Sequence, residues 1–246
     1  MSYRYYDGHT ATQEQEKFKR STKDAMKLGH LRLHPPLWDE DYLIFFHRAP
    51  VIAKWLGELE GRLCVLDIGG RIQPYRSLIE DRIDTYIAVD LQLEGLVNVI
   101  ANAEKLPFER GSFDVVICTD VLQYVPDAAS AIREMHRVLK SGGKLILSTR
   151  GSYPEHHDEL WRFLPDGLRY MCRMFSSVDV VAEGYTGSGL MITLNVLLHR
   201  RIRSSLIQRL AKRTTIPLLN KVGLLLDKIV RKDTRCTCGF SLQGIK

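Results

Sequence analysis

From Asp39 onward the apolar positions Leu43, Phe46, Ala49, Ile52, Ala53, Leu56 and Leu59 recur at the spacing of one helix face, with Asp39 as N-cap and Pro50 marking a kink or restart. The pattern then changes. Leu63 to Ile68 is a short, unbroken apolar run closed by Gly69-Gly70, the signature of a strand covered on both faces. Similar runs follow at Thr85 to Val89, Val97 to Ala101, Asp114 to Cys118 and Lys144 to Ser148. Between the last two, Ile132, Met135, His136 and Leu139 share a helix face that Asp127 can cap and Gly142 can end.

Continuous apolar strands alternating with helices predict a parallel sheet covered on both faces, because right-handed crossovers put the helices there. The expected fold is therefore a three-layer, doubly wound α/β domain with a mainly parallel, seven-stranded sheet. Residues 1–38 read as an N-terminal arm, with a short helix over Gln13 to Leu28 stopped by Gly29 and a Pro35-Pro36 break. Residues 39–246 form the main domain. Within it, a helix with an entry loop is expected over 153–175 and a strand at Ser177 to Glu183. A helical insertion follows at about 188–232, broken at Gly187, Gly189 and Pro217, and CTCGFSLQGIK forms a last strand on which Cys236 and Cys238 alternate.

Composition narrows the classes without selecting a function. At 246 residues, with 45% hydrophobic and 26% charged residues, the chain can bury a full core without staples. Five scattered cysteines, an odd number, suit reduced thiols and a cytosolic location. The opening MSYRYYDGHT lacks an apolar signal region, and Gly184 to Leu198 is too short and too polar to span a bilayer. Charge is uneven: residues 199–235 hold eleven Lys or Arg against two acids, a local +9, which leaves −3 for the rest of a chain whose total is +6. That segment can cover the fold, lie on an anionic membrane or contact RNA, in decreasing order of expectation.

The chemistry concentrates at VLDIGG, 65–70, where a buried strand delivers Asp67 and two glycines to the edge at which open α/β sheets bind ligands. Asp90 ends the next strand 23 residues later, near the offset at which an acid takes ribose hydroxyls. Arg71 and Gln73 occupy places where a dinucleotide fingerprint has glycine, which disfavours a pyrophosphate and leaves an unphosphorylated nucleoside. No P-loop and no G-x-S-x-G elbow occurs.

VLDIGG, YIAVD, ANAEKLPFERGSFDVVICTDVLQYVPD and REMHRVLKSGGKLILST, in this order from Leu63 to Thr149, resemble the class I S-adenosylmethionine-dependent methyltransferases, specifically the type 11-like branch. The resemblance implies S-adenosylmethionine as cofactor. It sets Asp67, Gly69 and Gly70 against its methionine part, Asp90 at the ribose, Asn102, Ala103 and Glu104 at the adenine, and Thr119 on the methionine side, and it counts Leu91 among the cofactor-binding residues. Two positions depart from the family pattern. Arg71 replaces a glycine, where its side chain either reaches the cofactor carboxylate or fills the space, and Tyr124 stands where histidine is frequent. Asn102 also takes a place often held by aspartate.

Methyl transfer needs the acceptor aligned and, for a hydroxyl, its proton removed. His156 and His157 follow the fifth strand and are the candidate bases; a metal site built on them is disfavoured because adjacent residues do not converge. The expected function is methyl transfer to a small-molecule, saccharide- or lipid-linked acceptor, at oxygen. Alternatives are an RNA methyltransferase using the basic segment, with nucleic acid the less expected partner, and a non-catalytic scaffold disabled by Arg71. Location is expected to be cytoplasmic, with peripheral membrane contact through 199–235.

Overall fold

The computed structural model describes residues 11–151, 154, 158–202, 204–230 and 233–246; for 11–20, 200 and 201 only the backbone is described. Two helices, α1 (Ala11–Leu33) and α2 (Tyr42–Gly57), precede the sheet. Then come β1 (Leu63–Ile68), β2 (Ile83–Asp90), β3 (Val99–Ile100), β4 (Phe113–Thr119), α3 (Ala128–Val138), β5 (Leu139–Arg150), α4 (Pro165–Met171) and β6 (Ser177–Glu183). Three helices, α5 (Thr186–Arg201), α6 (Ser205–Arg213) and α7 (Thr215–Ile229), separate β6 from β7 (Gly239–Ile245).

The sheet order is β3-β2-β1-β4-β5-β7-β6. Neighbours from β3 to β5 pair parallel, whereas β7 pairs antiparallel with both β5 and β6. Two antiparallel steps restore direction, so β6 ends at the same edge as β1, β2, β4 and β5.

Strand alternation divides the core in two. Leu66, Ile68, Val116 and Leu147 turn to the face covered by α3 and α4, against Ile132, Met135 and Leu168. Val65, Val115, Ile117 and Ile146 turn to the other face, against Ile52, Trp55 and Leu56 of α2 and against Tyr75 and Ile79. Each of these side chains is nearly or wholly buried, worth about 1.5–3 kcal/mol for a residue of this size.

Several boundaries differ from the sequence expectation, mostly at glycines that the pattern predicts as helix ends or breaks. α1 runs through Gly29 because that residue lets the helix touch the backbone beyond β1: a Cβ there would lie 2.2 Å from the Ile72 carbonyl oxygen. α5 runs through Gly187 and Gly189 for a similar reason, since a Cβ at Gly189 would lie 2.0 Å from the Cys236 carbonyl oxygen. α3 ends at Val138, and Gly142, at φ 76°, sits in a bulge of β5. Pro217 lies in the first turn of α7, where a missing N–H costs no helix bond. Pro50 lies inside an unbroken α2, and Cys236 and Cys238 precede β7.

Candidate active site

β1 ends beside the ends of β2 and β4, with Ile68 paired to Val89 and to Cys118, so the turn that follows lies between Asp90 and Thr119. Gly69 takes φ 73°, a conformation glycine adopts at no steric cost, and a Cβ on it would lie 2.2 Å from Val121 Cγ2. The loop after β4 is thereby closed down on the turn. The N–H groups of Gly69 and Gly70 both donate to the Val89 carbonyl, at 2.8 and 3.3 Å, and that of Arg71 donates to Gly69, at 2.8 Å. With these three donors turned inward the turn is not an anion nest, which suits a nucleoside better than a pyrophosphate.

Arg71 leaves the turn. Its guanidinium is half exposed and lies 3.5 Å from Glu94 Oε2, while its carbonyl accepts from Leu96 N–H at 2.9 Å. The 92–97 loop is pinned in turn by α1: Ser21 Oγ accepts from Gly95 N–H and Thr22 Oγ1 donates to the Gly95 carbonyl. The arm thus braces, through the 92–97 loop, the turn that the family resemblance sets against the methionine part of the cofactor.

Asp67 is buried, and its Oδ2 accepts from the Tyr86 hydroxyl at 2.7 Å. Burial raises its carboxyl to about 7, the tyrosine bond offsetting only part of the cost. The side chain lies directly beneath the turn, and Gly70 fits only because it lacks a Cβ, which would lie 2.8–2.9 Å from the Asp67 carbonyl oxygen, the Asp67 carboxyl carbon and the Ala88 Cβ.

Asp90, at the end of β2, is half buried, with Oδ1 accepting from Leu91 N–H at 2.7 Å; beside it the Leu91 side chain is 68% exposed. At the end of β3, Asn102 Oδ1 accepts from Glu104 N–H and its Nδ2 donates to Glu104 Oε2, while Glu104 Oε1 accepts from Asp127 N–H. Asn102 and Glu104 thus build the loop that holds Ala103, itself buried. Thr119, half buried, ends β4 opposite Ser148. His156 and His157 lie outside the described residues.

The same edge carries a charged group that hydrophobic periodicity does not mark. Asp120 follows β4 at φ 56° and takes two bonds from Arg48 of α2, at 2.5 and 3.0 Å; Arg48 also gives two to Glu183 at the end of β6, at 2.7 and 3.0 Å. Arg48 and Glu183 are fully buried. Burial opposes charge on Asp120, but Arg48, with Arg150 at the end of β5, holds its carboxyl down at about 2. Such a carboxylate is a poor proton acceptor at neutral pH. The signal was available: Arg48 stands on the buried face of α2 between Phe45 and Ile52. Tyr124, half buried, stands one short turn beyond Asp120.

The donor set fits an S-adenosyl ligand. A half-buried acid with an exposed aliphatic neighbour ends β2, a loop built around the buried Ala103 follows β3, a hydroxyl ends β4, and the turn between them offers no phosphate nest. Among the described residues no group of His, Cys, Asp and Glu is disposed to hold a metal ion.

Comparison with known proteins identifies the family of this region and the fold. The family described as "Methyltransferase domain" matches residues 66–147. A malonyl-[acyl-carrier protein] O-methyltransferase of Coxiella burnetii is 30% identical over 48% of this chain and 44% of its own length. A ubiquinone/menaquinone biosynthesis C-methyltransferase of Shewanella frigidimarina is 37% identical over 54% of each chain. The matched part thus spans about half the length of these curated relatives or less. A crystal structure of an S-adenosylmethionine-dependent methyltransferase from Archaeoglobus fulgidus superposes with TM-score 0.52 over 80% of this chain and 92% of its own, at 14% identity, a likeness of fold.

Proposed function

We propose, for a chain whose 66–147 region belongs to the class I S-adenosylmethionine-dependent methyltransferases, that the protein methylates a small molecule. The observation that carries this reading is the edge itself: Asp90, accessible at the end of β2, faces a glycine turn that Arg71 has vacated for Glu94. When bound, the cofactor supplies a methyl group made electrophilic by its sulfonium.

The chain's own residues have distinct tasks. Asp90 accepts hydrogen bonds from the ribose hydroxyls, Leu91 beside it contacts the cofactor, Ala103 flanks the base, and Asn102 and Glu104 keep the loop in shape. Gly69, Gly70 and Thr119 border the methionine part, with Asp67 holding the turn from below. The acceptor lies along the β4–β5 edge, near Tyr124 and Arg150. On this reading the acceptor is a hydroxyl, methylated at oxygen, and His156 or His157, next after β5 in the sequence, takes its proton. The Coxiella relative is by name a malonyl-[acyl-carrier protein] O-methyltransferase and the Shewanella relative a ubiquinone/menaquinone biosynthesis C-methyltransferase, names that support a small or carrier-linked acceptor. A saccharide- or lipid-linked metabolite suits the same edge.

Calorimetric titration with S-adenosylmethionine and S-adenosylhomocysteine tests the reading. Asp90→Ala removes hydrogen bonds to a charged acceptor worth about 1.5–3 kcal/mol, so binding of both ligands weakens roughly 10- to 150-fold. Absence of binding at millimolar ligand by the unaltered protein refutes the cofactor assignment. A turnover screen on hydroxylated quinone-like and acyl-carrier substrates then tests the acceptor, with His156→Ala and His157→Ala lowering turnover while leaving cofactor affinity unchanged.

A further inference from the structure

The insertion between β6 and β7 is built with its polarity reversed. α7 buries Ile216, Asn220, Gly223 and Asp227, whereas Leu218, Leu225 and Ile229, on the opposite side of the helix, are 61%, 56% and 69% exposed. The buried polar groups have specific partners. Asn220 Nδ2 donates to the carbonyls of Leu37 and Asp39, and Asp227 accepts from the Ser188 hydroxyl and from the N–H groups of Tyr185 and Ser188. α5 repeats the design, burying Ser188, Ile192, Asn195 and Val196 while Leu190, Leu194 and Leu197 are exposed.

α6 is amphipathic, yet only Ala211 of its apolar side is buried; Leu206 and Leu210 are 74% and 61% exposed. A helix face of this kind is normally covered. Exposed cations border the leucines: Arg209, Lys212 and Arg213 on α6, Lys221 and Lys228 on α7. Neither acid of 199–235 offsets them, because Asp227 is buried and Asp233 is bonded to Arg235. Trp38, 45% exposed, carries the Lys212 ammonium 5.8 Å from its ring centre, adding an aromatic side chain of the type that settles at a bilayer interface.

We propose that α5, α6 and α7 form a docking surface for an anionic lipid bilayer, with the leucines entering the acyl boundary and the cations meeting lipid phosphates. Charge selects this occupant. A second copy docking through the same face opposes like charges around a two-fold axis, and RNA has no use for three rows of exposed leucines. No described helix is long and apolar enough to cross a membrane, so the contact is peripheral. The inference stands independently of methyl transfer.

Vesicle sedimentation of the full chain tests it, using phosphatidylcholine vesicles with and without roughly 30% phosphatidylglycerol. Binding is expected to the anionic vesicles, weakened at high salt. The triple variant Arg209→Gln/Lys212→Gln/Arg213→Gln should partition roughly 100-fold more weakly. Leu218→Ser/Leu225→Ser/Ile229→Ser should also release the protein, and far-ultraviolet circular dichroism shows that both variants remain folded. The proposal is overturned if the protein ignores anionic vesicles or if neither triple weakens binding. It is equally overturned if light scattering shows a dimer that the leucine variant dissolves, or if a single-stranded RNA oligomer binds tightly where vesicles do not.

Discussion

Replacing Arg48 by methionine keeps most of the aliphatic volume and removes the cation on which two carboxylates depend. Arg48 is 1% exposed and makes four hydrogen bonds, two to Asp120 and two to Glu183. Stranding a buried partner costs about 3–5 kcal/mol, and a chain of this size loses about 2–4 °C of Tm per kcal/mol, so chemical and thermal denaturation should both register the change clearly.

Protonation gives the loss a pH signature. In the native protein Asp120 is held at about 2 against an ordinary 3.8, so its contribution, on the order of 2 kcal/mol, is present above pH 4 and fades as pH falls towards 2. Without Arg48 the desolvated carboxyls shift upward, and a raised carboxyl gives stability at low pH that is lost as pH rises. The gap between native protein and Arg48→Met therefore widens from pH 4 to pH 7. The triple variant Arg48→Met/Asp120→Asn/Glu183→Gln removes both carboxylates together with the buried arginine that pairs them and should recover most of the loss. A loss below about 1 kcal/mol, or one equal at pH 4.5 and 7.5, refutes the electrostatic reasoning and leaves arginine a packing residue.

Asp67→Asn should stabilise the protein at pH 8 and change little at pH 4, because a carboxyl raised to about 7 destabilises the fold increasingly as pH climbs from about 4 to 7; urea titrations at the two pH values decide it. Arg71→Gly should leave S-adenosylmethionine affinity within about threefold, since the side chain already lies with Glu94 and an exposed pair contributes little; a tenfold gain in calorimetry shows instead that arginine obstructs the turn. Gly29→Leu should lift α1 from the Ile72 carbonyl, cost about 1–3 kcal/mol and speed proteolysis within α1, and an unchanged cleavage rate contradicts that contact.

The parallel strands were legible where their middles are buried on both faces: Val65 to Ile68 in β1, Tyr86 to Val89 in β2, Val115 to Cys118 in β4 and Leu145 to Leu147 in β5 are short apolar runs, whereas the polar ends of β2 and β5 carry no such signal. The glycines were ambiguous for a physical reason. Absence of a Cβ serves equally to end a helix and to let backbones touch, and Gly29, Gly187 and Gly189 do the second. Asp120 was overlooked for a related reason: its importance lies in Arg48, 72 residues earlier, and in Glu183, 63 residues later, a pairing that no local period encodes.

α7 shows where hydrophobic periodicity misleads. Its leucines mark a face, and the ordinary inference turns that face inward; but Asn220 and Asp227 find fixed partners in Leu37, Asp39 and Ser188, and a bonded polar side chain is tolerated inside where an unbonded one is not. Gly223 then lets α7 approach Leu43 and Met191, where a Cβ would lie 3.0–3.2 Å from their side chains. Once the polar side of the helix is committed to the protein, the leucines have no interior left to enter. Their exposure follows from the bonding of Asn220 and Asp227, so Asn220→Leu should weaken the seating of α7 without reducing the apolar surface it presents. In hydrogen exchange this predicts faster opening of 215–229 while β1 and β4 retain their protection, and uniform loosening of the whole chain contradicts it.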